Sequence, residues 1–151
     1  MLTVNLTGIQ ALYNKLASVK TLKARKMLVS AVPSALSKVL TIDQVLHGLN
    51  GVTSNLSEDK LVRAFYLSKM TVPDEITPAG QAAYTFLKWP EYVEFICRLA
   101  FIKEFKNDRF GEVKLVKKLQ PVLECLLALV GQKVTQPTTL AEEVSESDDD
   151  Y

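Results

Sequence analysis

The sequence has few of the residues that catalysis and metal binding need. Its 151 residues include one histidine, His47, and two cysteines, Cys97 and Cys125. Acid–base catalysis requires positioned partner groups, so we expect His47 to be structural or solvent-exposed. One histidine and two separated cysteines do not form a zinc site, and no glycine-rich phosphate loop or nucleophile elbow is present. We therefore expect no enzyme activity, no catalytic residue, no metal site and no cofactor.

Long apolar runs and cysteine pairs are scarce as well. No apolar run reaches the roughly 18 residues that a membrane-spanning helix needs. The first ten residues, "MLTVNLTGIQ", lack the basic start and apolar block of a secretory signal. Small secreted scaffolds carry many more cysteines, so we expect both thiols to be buried and free in a reducing compartment. These absences predict a cytoplasmic protein without membrane insertion.

The two ends of the chain differ in charge: the first part lacks acidic side chains, and the last part lacks basic ones. Residues 1–42 contain six basic side chains and no acidic one. The last ten residues carry six acids and no base, a net charge of −6, whereas the preceding residues sum to +7. This asymmetry indicates either an acidic partner for the body of the chain or a tail that shields it.

One basic cluster is a candidate partner-binding site. It consists of Lys20, Lys23, Arg25 and Lys26. These side chains can contact phosphates or the acidic surface of a filament, and the alternative is a solvated helix face. Zinc-finger and RNP-like aromatic motifs are missing, so we expect no specific nucleic-acid binding.

Helical periodicity dominates the rest of the chain, and strand signals are almost absent. The patterns predict an all-α fold of five to seven helices, in one domain over residues 1–131. The apolar stripe of the first helix comprises Ile9, Leu12, Tyr13 and Leu16. Residues 71–85 are rich in Pro, Thr, Gly and Ala and predict a loop. From residue 132 the chain becomes polar and then acidic, which predicts a disordered, flexible acidic C-terminal tail over 132–151.

Helix boundaries follow from polar residues beside the apolar stripes. Thr7, Thr41 and Ser57 are candidate N-caps, and Asn50-Gly51 is a candidate helix stop. Pro121 lies inside the last helical segment, where it predicts a bend or an offset.

The segment "FLKWPEYVEFI" supports a more specific hypothesis. Proline and an acid in the first turn of a helix are favourable, because the proline has no N–H to leave unpaired and the acid meets the positive helix end. The residues that carry the resemblance are Leu87, Trp89, Pro90, Glu91, Tyr92 and Phe95. Together they resemble the end of a calmodulin-type EF-hand.

The resemblance implies a pair of helix-loop-helix hands over roughly residues 8–106. In it, Leu87 pairs with the sister hand and Glu91 is the closing carboxylate. The upstream segment "VLTIDQVLHGL" resembles the same pattern, with Leu40 as the partner of Leu87 and Gln44 at the closing position. The segment "DKLVRAFYLSK" resembles the incoming helix of the second hand.

The calcium ligands of such hands are largely missing. A working loop needs oxygen ligands at its first, third and fifth positions, a glycine at its sixth and a bidentate Glu at its twelfth. Counting back from Glu91, the ligand and glycine positions hold Gly80, Ala82, Tyr84 and Thr85. Counting back from Gln44, they hold Pro33, Ala35, Ser37 and Lys38. Only the closing Glu91 remains, so we expect calcium-independent, degenerate hands.

The second loop is also longer than the pattern allows. Counted forward from Phe65 it starts near Lys69, and counted back from Glu91 it starts at Gly80, a difference of about eleven residues. Enlarged, ligand-free hands of this kind are similar to domains of protist and ciliary proteins. The resemblance implies a subunit of a ciliary, axonemal or cytoskeletal assembly.

Two further groups of residues are candidate sites. The last helical segment is strongly apolar, and its candidate partner contacts are Leu119, Leu123, Leu126 and Leu127. Either these leucines pack in the core, or they form an exposed apolar face that docks into a partner. Trp89 is another candidate partner contact. Ser145 and Ser147 each precede an acid by three residues, which resembles acidophilic kinase sites, and an unmodified solubilising tail is the alternative.

The sequence thus predicts a non-catalytic protein-binding or structural module within a larger assembly. The alternative is a regulatory sensor that responds to calcium or phosphorylation, and whose acidic tail competes with an acidic partner for the basic face.

Overall fold

Six α-helices and one short antiparallel sheet make up the part of the chain that this computed structural model describes, residues 1–20, 39–52, 56–102 and 113–137. In chain order the elements are a 3-10 turn at Thr3–Asn5, α1 at Leu6–Ala17, β1 at Leu40–Thr41, α2 at Ile42–Leu49, α3 at Glu58–Leu67, α4 at Pro78–Ala83, β2 at Phe86–Leu87, α5 at Trp89–Ile102 and α6 at Leu115–Ala128. The predicted all-α class is confirmed. Within these residues, no helix is both long and apolar enough to cross a membrane.

The apolar stripe of α1 is buried as predicted. Its members are at most 3% exposed: Ile9, Leu12, Tyr13 and Leu16. The predicted cap at Thr7 is wrong, because the helix begins one residue earlier, at Leu6, and Asn5 stands at the N-cap position.

The other predicted helix boundaries lie at the expected residues, and the one at Thr41 carries the expected capping hydrogen bonds. The Thr41 hydroxyl accepts a hydrogen bond from the backbone N–H of Gln44, and the Gln44 side chain accepts one from the N–H of Thr41. This reciprocal pair is a capping box. Helix α2 ends at Leu49 with Asn50 as its C-cap, and Gly51 then adopts a positive φ of 77°, which suits glycine. Ser57 stands at the N-cap of α3 as predicted, but its side chain makes no capping hydrogen bond.

The predicted loop over residues 71–85 is wrong in part, because it contains α4. Thr77 caps this helix by accepting a hydrogen bond from the N–H of Gly80, and Pro78 occupies its first turn. The same residue types favour loops and helix starts, which explains the error. Gly80 is required here, since a Cβ would lie 2.1 Å from the carbonyl oxygen of Asp74.

Helix α5 lies at the centre of the core and packs most extensively against α3 and α6. Its buried residues are Glu91, Tyr92, Phe95, Ile96, Leu99 and Ala100. Each large apolar side chain buried in this way contributes about 1.5–3 kcal/mol relative to an exposed one. Pro121 lies within α6, which begins at Leu115. Cys97 and Cys125 are free as predicted, and both are half-buried, whereas the sequence predicted buried thiols.

The end of the described chain is attached to its beginning. The Asn5 side chain donates a hydrogen bond to the carbonyl oxygen of Thr135 (2.9 Å) and accepts one from its N–H (2.7 Å). Lys15 Nζ donates to the carbonyl oxygen of Leu129, beyond the last turn of α6. Residues 132–137, which the sequence assigned to the tail, therefore contact the helical domain, and residues 138–151 lie outside the described residues.

The two strands form an antiparallel pair in which Leu40 is the Cα partner of Leu87 and Thr41 that of Phe86. The predicted pairing of Leu40 with Leu87 is confirmed. Both leucines are 0% exposed. Because α2 follows β1 directly and α5 follows β2 after one residue, the pairing brings the starts of these two helices together.

Candidate functional site

Gln44 and Glu91 hold equivalent positions in the chain, each shortly after one of the two paired strands. Thr41 is the N-cap of α2, and Lys88 directly precedes α5. Gln44 and Glu91 each lie three residues further along, and each accepts a hydrogen bond from the backbone N–H of that preceding residue, at 2.9 Å and 2.8 Å. Both side chains are buried. Gln44 then reaches residues at the end of α1, and Glu91 reaches residues that follow α3.

The Gln44 junction is neutral. We use this name for Thr41, Gln44 and the residues at the end of α1 that Gln44 contacts, Ala17 and Val19. The Gln44 amide nitrogen donates to the carbonyl oxygens of Ala17 and Val19, both at 2.9 Å. One amide thereby links the end of α1 to the start of α2 with hydrogen bonds alone.

The Glu91 junction is charged. We use this name for Lys88, Glu91 and the two residues after α3 that Glu91 contacts, Lys69 and Met70. Glu91 Oε1 accepts from the N–H of Met70 at 3.0 Å, and Oε2 accepts from Lys69 Nζ at 2.8 Å. Lys69 Nζ also donates to the carbonyl oxygen of Phe86 at 2.5 Å. The two charged side chains are 5% and 4% exposed, so this ion pair is buried.

The environment of the Glu91 junction shifts several pKa values. Burial alone would raise the pKa of Glu91. Hydrogen bonds from Lys69, Lys88 and Met70, together with the Lys69 charge, outweigh burial, and the pKa of Glu91 is therefore lowered. Burial lowers the pKa of Lys69, and its hydrogen bond to Glu91 opposes that shift. Burial and then the Glu91 charge raise the pKa of Tyr13 to about 12. Tyr13 therefore remains a neutral donor to the carbonyl oxygen of Leu87 at physiological pH.

The Glu91 junction does not have the form of a calcium-binding loop. Gly80 and Ala82, at two of the ligand and glycine positions counted back from Glu91, belong to α4. Both carboxylate oxygens of Glu91 already accept hydrogen bonds, and a metal would have to displace the Lys69 ammonium. Within the described ranges, no three His, Cys, Asp or Glu side chains are grouped so that they could hold a metal ion. The corresponding positions before Gln44 lie outside the described residues.

A cavity of about 530 Å³ lies beside the ion pair. Its walls come from the segment after α3, from α4 and from the start of α5: Lys69, Met70, Thr71, Val72, Pro73, Asp74, Thr77, Ala79, Gly80, Ala83, Lys88 and Glu91. This volume lies within the range of about 300–1,000 Å³ that is typical of small-molecule pockets.

Exposed apolar side chains concentrate in one stretch of the sequence, residues 66–76, which contributes Met70 to the wall of this cavity. Eight large apolar side chains are exposed within the described residues, and four of them lie between positions 66 and 76. We call these four the apolar rim: Tyr66, Leu67, Met70 and Ile76. Ile76 is 92% exposed. Concentrated exposed apolar surface is typical of protein interaction sites, whereas scattered single residues are ordinary.

The structure places the predicted basic and aromatic sites as follows. Lys20 is exposed, and Lys23, Arg25 and Lys26 lie outside the described residues, as do Ser145 and Ser147. Trp89 is half-buried and packs edge-on against Tyr13, with ring centroids 5.4 Å apart. Trp89 thus contributes to the core beside the strand pair. His47 is exposed, in agreement with one of its two predicted environments.

The predicted partner contacts on the last helix are core residues. Leu119, Leu123, Leu126 and Leu127 are at most 3% exposed. A partner has no access to side chains buried in this way, so the expectation of an exposed docking face at these four leucines is wrong, and the core alternative holds. The helix presents Val116 to solvent instead, which is 51% exposed.

Lys69 is the residue of the junctions that the sequence interpretation missed. The signal was present, because Lys69 stands at the first loop position counted forward from Phe65, where a calcium-binding hand has an acid. In the proposed resemblance, a basic residue at that position together with Glu91 at the closing position predicts an internal ion pair.

Comparisons with protein-family models, with curated proteins and with solved structures gave no match for this chain.

Proposed function

We propose that this chain is a non-catalytic, calcium-independent protein-binding module built on a degenerate pair of EF-hand-like units. The observation that carries the proposal is the Leu40–Leu87 strand pairing with Gln44 and Glu91 at the same offset beyond it. In paired hands the equivalent positions join the two units and close each loop. Here both closing side chains are engaged in hydrogen bonds within the protein.

Calcium independence follows from the chemistry of the Glu91 junction. Ca²⁺ takes six to eight oxygen ligands, and a single carboxylate with a competing ammonium does not provide them. Isothermal titration calorimetry of the full chain with calcium is expected to give no binding heat at micromolar concentrations. Saturable calcium binding that disappears in the Glu91→Ala variant would favour the sensor alternative.

The apolar rim and the neighbouring cavity support protein binding as the activity. Exposed methionine and branched side chains adapt to partner surfaces, and a cavity beside them accepts an anchoring side chain. A photo-crosslinking amino acid at position 76 is expected to capture a discrete partner in cells that contain the chain. The matched control places the same amino acid at position 6, since Leu6 is also exposed but distant in sequence from the rim. Equal capture at both positions would contradict a binding surface at the rim.

The cellular setting of the proposal is a ciliary, axonemal or cytoskeletal assembly. It rests on the resemblance of enlarged, ligand-free hands to those of protist and ciliary proteins. The test is fractionation: an epitope-tagged chain is expected to stay with the detergent-insoluble ciliary or cytoskeletal fraction. Complete release into the detergent-soluble fraction would remove this part of the proposal and leave the binding module unaffected.

A further inference from the structure

We infer that the Glu91 junction is a cation site whose ligand is a primary ammonium group, and that the chain supplies this ligand itself as Lys69. The inference rests on the proposed function, because it assigns to Lys69 the position that a metal ion occupies in a calcium-binding hand.

The contacts around Lys69 Nζ are those of an ammonium site. A carboxylate oxygen of Glu91 lies at 2.8 Å, the carbonyl oxygen of Phe86 lies at 2.5 Å, and the Phe86 ring centroid lies at 5.5 Å. An anionic oxygen, a neutral oxygen and an aromatic face all favour a positive charge that carries N–H donors. The Lys69 side chain is 5% exposed, so little of it is open to competition from water.

Lys69 also performs the connection that a loop cation performs. Through Lys69 and Met70, the end of α3 contacts Glu91 near the start of α5, while Lys69 contacts β2 through Phe86. Three elements thus converge on one ammonium. The Gln44 junction makes the equivalent connection with a neutral amide, so a buried charge is not required to join a helix end to a helix start.

The comparison of the two junctions makes an incidental ion pair a poor explanation. Removing two charges from water is costly, and apolar or neutral replacements are often equally stable. A charged arrangement at one of two equivalent positions is explained if Glu91 belongs to a cation site that Lys69 fills permanently. The helices of the second unit are then held in place whatever the calcium concentration.

The first test replaces the ligand. Lys69→Ala leaves Glu91 buried without its cation and is expected to lower the melting temperature by about 10 °C or more. Propylammonium corresponds to the part of the side chain that this variant lacks. It is expected to raise the melting temperature of Lys69→Ala progressively with concentration, as a ligand of the folded state does, and to leave the unaltered chain unchanged.

The controls separate an ammonium site from a general salt effect or a metal site. Tetramethylammonium at equal ionic strength has no N–H donor and is expected to give no rescue. Lys117→Ala removes an exposed lysine of α6 that is not part of the Glu91 junction, and it is expected to show neither the loss nor the rescue. The inference is overturned if Lys69→Ala is as stable as the unaltered chain, if tetramethylammonium rescues equally, or if calcium rescues where propylammonium fails.

A second measurement uses the intact chain and does not depend on the folding of a variant. Proton–nitrogen NMR of lysine side chains detects an NH₃⁺ group at neutral pH only when its protons exchange slowly with water. We expect a protected lysine signal that is absent from Lys69→Arg. Absence of any protected signal from the intact chain overturns the inference. Neither result bears on partner capture at the apolar rim, so a failure here remains distinct from a failure of the proposed function.

Discussion

The Gln44 and Glu91 junctions solve the same problem with different chemistry. Each lies beyond one of the two paired strands, and each joins the end of one helix to the start of another through a buried side chain. The Gln44 junction uses a neutral amide that donates to two carbonyl oxygens. The Glu91 junction uses a carboxylate that accepts from two N–H groups and one ammonium.

This difference determines how each junction depends on its partners. An amide that loses a partner costs roughly the desolvation of one polar group, about 1–3 kcal/mol. A buried charge that loses its partner costs about 3–5 kcal/mol, because the remaining ion is left without compensation. The Glu91 junction is therefore the more sensitive of the two to substitution and to pH.

The largest effect is expected for Glu91→Ala. The substitution removes three accepted hydrogen bonds and leaves the Lys69 ammonium buried without a carboxylate. We expect a loss of about 3–5 kcal/mol in the free energy of unfolding, measured by urea denaturation with circular dichroism.

The matched control is Glu94→Ala, one turn further along α5. Glu94 pairs with Arg98 at 2.7 Å, but the two side chains are 41% and 46% exposed. An exposed pair of this spacing contributes about 0.3–0.5 kcal/mol. Equal losses for the two variants would show that burial of the Lys69–Glu91 pair has no energetic consequence.

A smaller loss is expected for Gln44→Ala. The substitution leaves the carbonyl oxygens of Ala17 and Val19 without their donor, but it strands no charge. We expect a loss of about 1–3 kcal/mol in the free energy of unfolding, by the same denaturation assay. A loss that exceeds that of Glu91→Ala would reverse the ranking of the two junctions.

The sequence predicted the paired arrangement because its signals are local. Leu40 and Leu87 each precede their closing residue by four positions, and the third position of a helix commonly binds back to its cap. These relations involve neighbours in the chain and can be counted in the sequence. The strand pairing then follows from the equivalence of the two segments.

The sequence interpretation failed where contacts are distant or residue types are ambiguous. Lys69 and Glu91 are 22 positions apart, on either side of the segment that contains α4, so no local spacing joins them. The loop itself contains α4, whose Thr77 and Pro78 favour a helix start as much as a turn. The leucines of α6 are equally apolar in a core and in an interface, and only the packing of α5 against α6 decides between them.

Acid is expected to weaken the Glu91 junction selectively. The pKa of Glu91 is below its usual 4.5, because the hydrogen bonds and the Lys69 charge outweigh burial. Glu91 therefore contributes stability above its unfolded pKa, and this contribution is lost as the pH falls through the lower folded pKa. Urea denaturation between pH 7 and pH 3 is expected to show a decline that is flatter in Glu91→Gln. Parallel profiles of the two chains would assign the decline to other carboxylates.

The smallest contrast concerns the residues that precede α2 and α5. The Thr41 hydroxyl accepts from the N–H of Gln44, whereas the exposed lysine at position 88 contributes its backbone N–H to Glu91. Thr41→Ala is expected to lower the free energy of unfolding by about 1 kcal/mol, since a side-chain cap is lost. Lys88→Ala keeps the backbone donor and is expected to change it by no more than about 0.5 kcal/mol. A larger loss for Lys88→Ala would mean that its ammonium also supports the Glu91 junction, so that the charged junction depends on two cations rather than on Lys69 alone.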